Sequence, residues 1–152
     1  MNAIKEYTIM LLMFCTQQIV QAQDLANNTT YYSEYLLGKK WEMTKIVNGK
    51  NVLFSLTFNK DSVTNVVVID DETTILRYAY YLSDGFEDVF DTSSVGKQST
   101  GKWLNLCRLY NNNGRTQTDR ANMKIFSLTD RVFSYGQSPS YPMILTAKPL
   151  DK

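Results

Sequence analysis

Two tyrosines and an arginine interrupt runs that otherwise read as apolar strands. Tyr78 and Tyr80 stand in residues 74–82, and Arg108 stands in residues 102–110. Side chains alternate across an extended chain, so Leu76, Tyr78, Tyr80 and Leu82 share one face. By the same alternation Arg108 shares a face with Leu104 and Leu106. Hydroxyls and a guanidinium on such faces need partners once they leave water. The polar head group of a bound molecule is one source of those partners. A neighbouring carbonyl or a water is the other. Binding chemistry, rather than bond-making chemistry, is what these residues suggest.

Catalytic and metal chemistry find no footing. Histidine is absent, which removes the commonest metal ligand and the commonest general base near neutral pH. There is no phosphate-binding glycine loop, no G-x-S-x-G elbow and no zinc-ligand pair. Residues 96–101, GKQSTG, have a lysine and glycines, but at the wrong spacing for a phosphate cradle. Asp84, Glu87, Asp88 and Asp91 fall close together, yet without the glycine and spacing of a calcium loop, and read as a solvated acidic segment. No catalytic residue, metal ligand or cofactor is therefore expected. Sixteen basic against fifteen acidic residues leave a net charge of +1, with no basic stripe for nucleic acid.

The elements that must position Tyr78, Tyr80 and Arg108 are strands. The firmest is the hairpin over residues 41–58. Asn48-Gly49 supplies the positive φ angles of a type I′ turn, and Val52, Phe54, Leu56 and Phe58 alternate after it. Residues 63–69 form a β-branched run, residues 102–110 a long strand, and residues 123–128 and 131–135 a hairpin about Thr129-Asp130. Residues 143–147 close the set, and Pro149 stops it. Residues 83–100 are irregular, with a short strand expected at Val89-Phe90. Residues 115–122 read as an exposed polar loop. Seven to nine short strands joined by short turns give an all-β class, an antiparallel up-and-down barrel of about eight strands. A short N-terminal helix over residues 31–37 fits a partial apolar face.

Residues 1–22 have the pattern of an export signal, with Lys5, an apolar run and a small-residue site before Gln23. Thirteen largely apolar residues are too few to span a bilayer, which needs ~20, so no transmembrane segment is expected in the mature chain. Residues 23–35 read as a flexible leader, and residues 36–150 as the barrel domain, in an exported protein that is periplasmic or extracellular. Cleavage would leave Cys107 as the sole cysteine, a buried inert thiol with no disulfide partner.

The opening residues 36–41, LLGKKW, resemble the start of lipocalin-like domains of the small exported bacterial type. Similar too are the aspartate-bearing turn before Val63, residues 95–97 leading to Gly101-Lys102-Trp103, residues 124–130, and the closing residues 141–150. Lipocalins proper have one residue between the glycine and the tryptophan, where this chain has Lys39 and Lys40. The resemblance implies an antiparallel barrel holding a small apolar or amphipathic ligand, and a Trp41 ring packed near a late basic residue, with Arg131 and Lys148 both available. Alternation nominates Trp41, Met43, Phe54, Leu56, Tyr78, Tyr80, Leu104 and Leu106 as inward residues, with Arg108 as a polar anchor. A solid core would use the same residues only for packing. The competing reading is a protein partner bound by loops and by exposed Tyr31, Tyr32, Tyr35 and Tyr135 on a filled barrel.

Overall fold

The computed structural model describes residues 29–150, so the export signal and the first part of the expected leader lie outside the described residues. Eight strands form a closed antiparallel barrel: β2 (Lys40–Val47), β3 (Lys50–Phe58), β4 (Ser62–Ile69), β5 (Glu72–Ser83), β7 (Trp103–Asn112), β8 (Arg115–Leu128), β9 (Val132–Gly136) and β10 (Met143–Lys148). Neighbours in sequence are neighbours around the barrel, and β10 returns to pair with β2 through Ala147 and Trp41. The expected up-and-down architecture is the one observed. A two-residue pair, β1 (Tyr31–Tyr32) with β6 (Thr100–Gly101), lies outside the barrel.

Turn chemistry accounts for the register. Asn48 and Gly49 have φ of 51° and 77°, and Asn113 and Gly114 have 52° and 81°, the left-handed pairs that a two-residue hairpin requires. They join Val47 to Lys50 and Asn112 to Arg115 as direct partners. The second of these hairpins revises one expectation. Residues 115–122 are not a loop but the first half of β8, paired with β7 from Arg115 to Lys124. Their polar composition hides a strand because this part of β8 rises to the rim, where there is little core to bury against.

The two ends of the barrel are physically different. At one end Trp41, Phe133, Leu36, Leu104, Ile125 and Leu145 are at most 1% exposed. The Trp41 indole Nε1 donates to the Leu36 carbonyl at 3.0 Å, and its ring meets that of Phe133 edge-on at 5.6 Å. Phe58 touches both Tyr80 and Phe133, and Phe133 stacks on Tyr135 at 4.6 Å. This aromatic plug seals the barrel. The basic side chain over the Trp41 ring is Lys39, 5.2 Å from the ring centre, rather than Arg131 or Lys148. The extra residue between Gly38 and Trp41 thus supplies its own cation.

Residues 31–37 pass beneath that sealed end. A single 3-10 turn, Ser33–Leu36, stands where a short helix was expected, and the described residues contain no α-helix. Tyr31, within the expected leader, is buried, and its hydroxyl donates to the Phe126 carbonyl at 3.1 Å. Gly101 explains the tight join at β6. Its φ is +154°, and a Cβ there would stand 2.0 Å from the Ser83 carbonyl oxygen, so only glycine fits.

Residues 84–99 fold back over the outer wall, and Val89-Phe90 forms no strand. Tyr81 anchors this flap. Its ring packs on Phe90 at 5.0 Å, its hydroxyl donates to Glu87, and it accepts from the Asp91 amide at 2.9 Å. Asp91 also accepts from the Ser94 hydroxyl and the Ser93 amide, which hold its carboxyl below its usual range. Two of the four clustered acids are therefore spent on shaping the loop.

Burial sets an alkaline limit on stability. Desolvation pushes the Tyr80 and Tyr81 hydroxyls up to about 12, and raises that of Tyr135 further. Below the ordinary value of 10.0 both folded and unfolded chains keep these protons. Above it the unfolded chain releases them and the folded chain does not, so stability falls as pH rises from 10 towards 12. Urea midpoints should drop across that window, and Tyr80→Phe should make the drop shallower. A midpoint independent of pH there would contradict the assigned burial.

Candidate functional site

The other end of the barrel holds a cavity of about 520 Å³. Strand alternation builds it from one face of each wall. Phe54 and Leu56 come from β3, Val63 and Asn65 from β4, Tyr78 from β5, Leu104 and Leu106 from β7, and Asp119, Ala121 and Met123 from β8. Tyr135 and Met143 line its far side, and the loop after β9 covers part of the mouth with Gln137, Ser138 and Tyr141. Phe58, Tyr135 and Leu104 belong to the core below, so the plug is also the cavity floor. The volume lies within the ~300–1,000 Å³ of small-molecule sites.

Of the residues nominated from sequence, Phe54, Leu56, Tyr78, Leu104 and Leu106 stand on the cavity wall. Trp41 and Tyr80 are at most 2% exposed and belong to the sealed end, where the Tyr80 hydroxyl donates to the Asn59 carbonyl at 2.8 Å. A neighbouring carbonyl, not a ligand, is the partner that Tyr80 needed. Met43 packs against the core without reaching the wall of the cavity. Arg108 stands at the edge of the cavity and lines a cleft on the outside of the barrel, together with Cys107 and Leu109.

Arg108, Tyr78 and Asp119 form one cluster across three strands. The Tyr78 hydroxyl donates to Asp119 Oδ2 at 3.1 Å, and Arg108 Nη2 approaches the same oxygen at 3.5 Å. The guanidinium lies over the rings of Tyr78 and Tyr110, 5.6 and 4.6 Å from their centres. Burial first, and then the hydrogen bond to Asp119, raises the Tyr78 hydroxyl above its usual value, so it keeps its proton.

The cluster sits where the wall changes character. Pairing between β5 and β7 runs from Ser83↔Trp103 only to Ala79↔Cys107. Beyond that point residues 72–78 pair with β4 alone, and residues 108–112 with β8 alone. Side chains, not backbone hydrogen bonds, bridge this seam.

Asn65 and Asp119 were not nominated from sequence, for different reasons. Asn65 is a polar break in a valine run, in phase with Val63 and Val67, which is a usable signal. Asp119 lies in the stretch expected to be a loop, although Asp119, Ala121, Met123 and Ile125 do alternate. Of the four tyrosines expected at the surface, Tyr32 and Tyr35 are exposed, whereas Tyr31 and Tyr135 are buried.

The fold and site thus define a closed eight-stranded antiparallel β-barrel, plugged at one end and hollow at the other. Compared with models of protein families, with curated proteins and with solved structures, the chain finds no match. No helix among the described residues is long and apolar enough to cross a membrane.

Proposed function

We propose that this chain is an exported, lipocalin-like carrier that holds a small apolar or amphipathic molecule inside its barrel and leaves it chemically unchanged. The observation that carries this reading is the hollow, largely apolar upper half of the barrel. A barrel whose only task were to support loops gains from filling that space, because each methylene buried there would add ~0.8 kcal/mol of stability. The lipocalin-like assignment rests on the barrel topology together with the glycine and tryptophan that open β2. Export rests on the signal pattern of residues 1–22. The reading of no transformation rests on the lack of histidine in the sequence and on the wall, where the Tyr78 hydroxyl donates to Asp119 and Cys107 lines the outer cleft instead.

Native mass spectrometry of the protein purified from its own source tests the carrier reading. The expected result is an added mass of a few hundred daltons, of the size a site of this volume accepts, lost on organic extraction. A bare mass, with tryptophan fluorescence unmoved across a panel of lipids and small apolar ligands, would sink it.

A further inference from the structure

The chemistry of the cavity wall narrows the ligand more than its volume does, provided the carrier reading holds. Basic side chains are missing from the wall among the described residues, and Asp119 is the charged group that faces the cavity. Its partner Arg108 lies over the rings of Tyr78 and Tyr110 and lines the outer cleft rather than the cavity, with its Nε buried and without a hydrogen-bond partner among the described residues. The 3.5 Å separation of Arg108 Nη2 from Asp119 Oδ2 exceeds the ~2.7–2.9 Å of a full charge-assisted hydrogen bond. The Tyr78 hydroxyl already donates its proton to Asp119, so towards the cavity it offers only lone pairs. On β4, the strand next to that of Tyr78, Asn65 Oδ1 is buried with no hydrogen-bond partner among the described residues. A buried acceptor left unpaired costs free energy until a donor reaches it.

The wall thus carries one unpaired buried acceptor, Asn65 Oδ1, and one carboxylate, Asp119, while its remaining polar side chains, such as Gln137 and Ser138 at the mouth, are uncharged. We infer that the ligand is an amphipath whose polar end is a hydrogen-bond donor, a primary alkylammonium group above all, and that alkyl carboxylates are discriminated against. An ammonium carries three donors and no acceptor, and so suits the Asp119 carboxylate or the Asn65 oxygen without leaving an acceptor of its own unpaired. A carboxylate would bring a second negative charge beside Asp119 and leave the Asn65 oxygen unpaired.

The test compares one alkyl chain with three head groups: dodecylamine, dodecanol and dodecanoate, each below its micellar concentration, titrated into the full chain near neutral pH. Dodecylamine should bind at least about tenfold more tightly than dodecanoate, the discrimination expected of one charge-assisted hydrogen bond, with dodecanol between them. Asp119→Asn should erase most of the amine preference while dodecanol still binds. Asn65→Leu, which leaves the Tyr78–Arg108–Asp119 cluster intact, should weaken the amine and the alcohol alike. Dodecanoate binding as tightly as the amine, or more so, overturns the head-group assignment and leaves the carrier reading standing. Failure of all three to bind likewise overturns the head-group assignment, and a bare native mass beside it overturns the carrier reading as well.

Discussion

Trp41→Ala is expected to lower the free energy of unfolding by about 3–5 kcal/mol, the range for truncating a large aromatic in a packed core. Three contacts disappear together. The indole no longer fills the sealed end, the Leu36 carbonyl loses its donor at 3.0 Å, and Phe133 loses its edge-on neighbour at 5.6 Å. A domain of this size has only ~5–15 kcal/mol of net stability to lose, so the variant sits near the folding threshold. Equilibrium urea unfolding measures the change. Phe86→Ala is the control, because Phe86 is 60% exposed and should cost far less. A Trp41 loss no larger than that of Phe86 would mean that the plug does not hold the barrel together.

Ala121→Trp should abolish ligand binding, with affinity falling more than about 100-fold, while the protein still folds. Ala121 lies on the cavity wall opposite Leu106 in the β7–β8 ladder. An indole placed there occupies the volume a ligand would take. Overpacking costs typically ~1–3 kcal/mol in a filled core, and less where space already exists. Thr118→Trp is the matched control, an exposed position on the same strand with the opposite phase. Calorimetric titration with the extracted ligand reads both variants. Unchanged binding in Ala121→Trp would place the ligand outside the barrel and favour a partner that reads its surface.

Much of the scaffold is legible in the sequence because its signals are local. Asn48-Gly49 dictates its hairpin through backbone sterics alone, and alternation in residues 52–58 and 76–82 assigns an inward face without knowledge of neighbours. Phe54, Leu56, Tyr78, Leu104 and Leu106 consequently fall on the cavity wall. What alternation cannot supply is height along the barrel. Trp41 and Tyr80 have the right phase but stand at the plugged end, and only pairing across strands distinguishes floor from wall. Arg108 falls at the edge for a related reason. Its position depends on where the β5–β7 ladder stops, and nothing between residues 83 and 103 marks that stop.

The irregular segment is harder still. Residues 84–99 owe their path to Tyr81, Asn105 and Asn122, polar or amphipathic groups on the outer wall that hydrogen-bond to the flap or to the Ser83 that begins it. Outward residues normally face solvent, so a strand pattern reads them as unremarkable. Asn105, wholly buried on that face and donating to the Ser83 hydroxyl at 2.8 Å, shows that the wall is covered.

The seam where β10 meets β2 sets the order in which the molecule can assemble. Ala147 pairs with Trp41, and Tyr31 bonds to Phe126, so the contacts that close the barrel join residues about a hundred positions apart in the chain. Hairpins such as β2–β3 and β7–β8 can form as soon as their turns exist, but each then carries an open edge. The free-energy cost of closing so long a loop grows only slowly with length, yet it must be met before any of the plug contacts repay it. Barrel closure and burial of Trp41 are therefore expected to be coupled, since Trp41 belongs both to the closing pair and to the plug. β10 is thus the strand that joins β9 to β2, and with it the cavity wall becomes continuous.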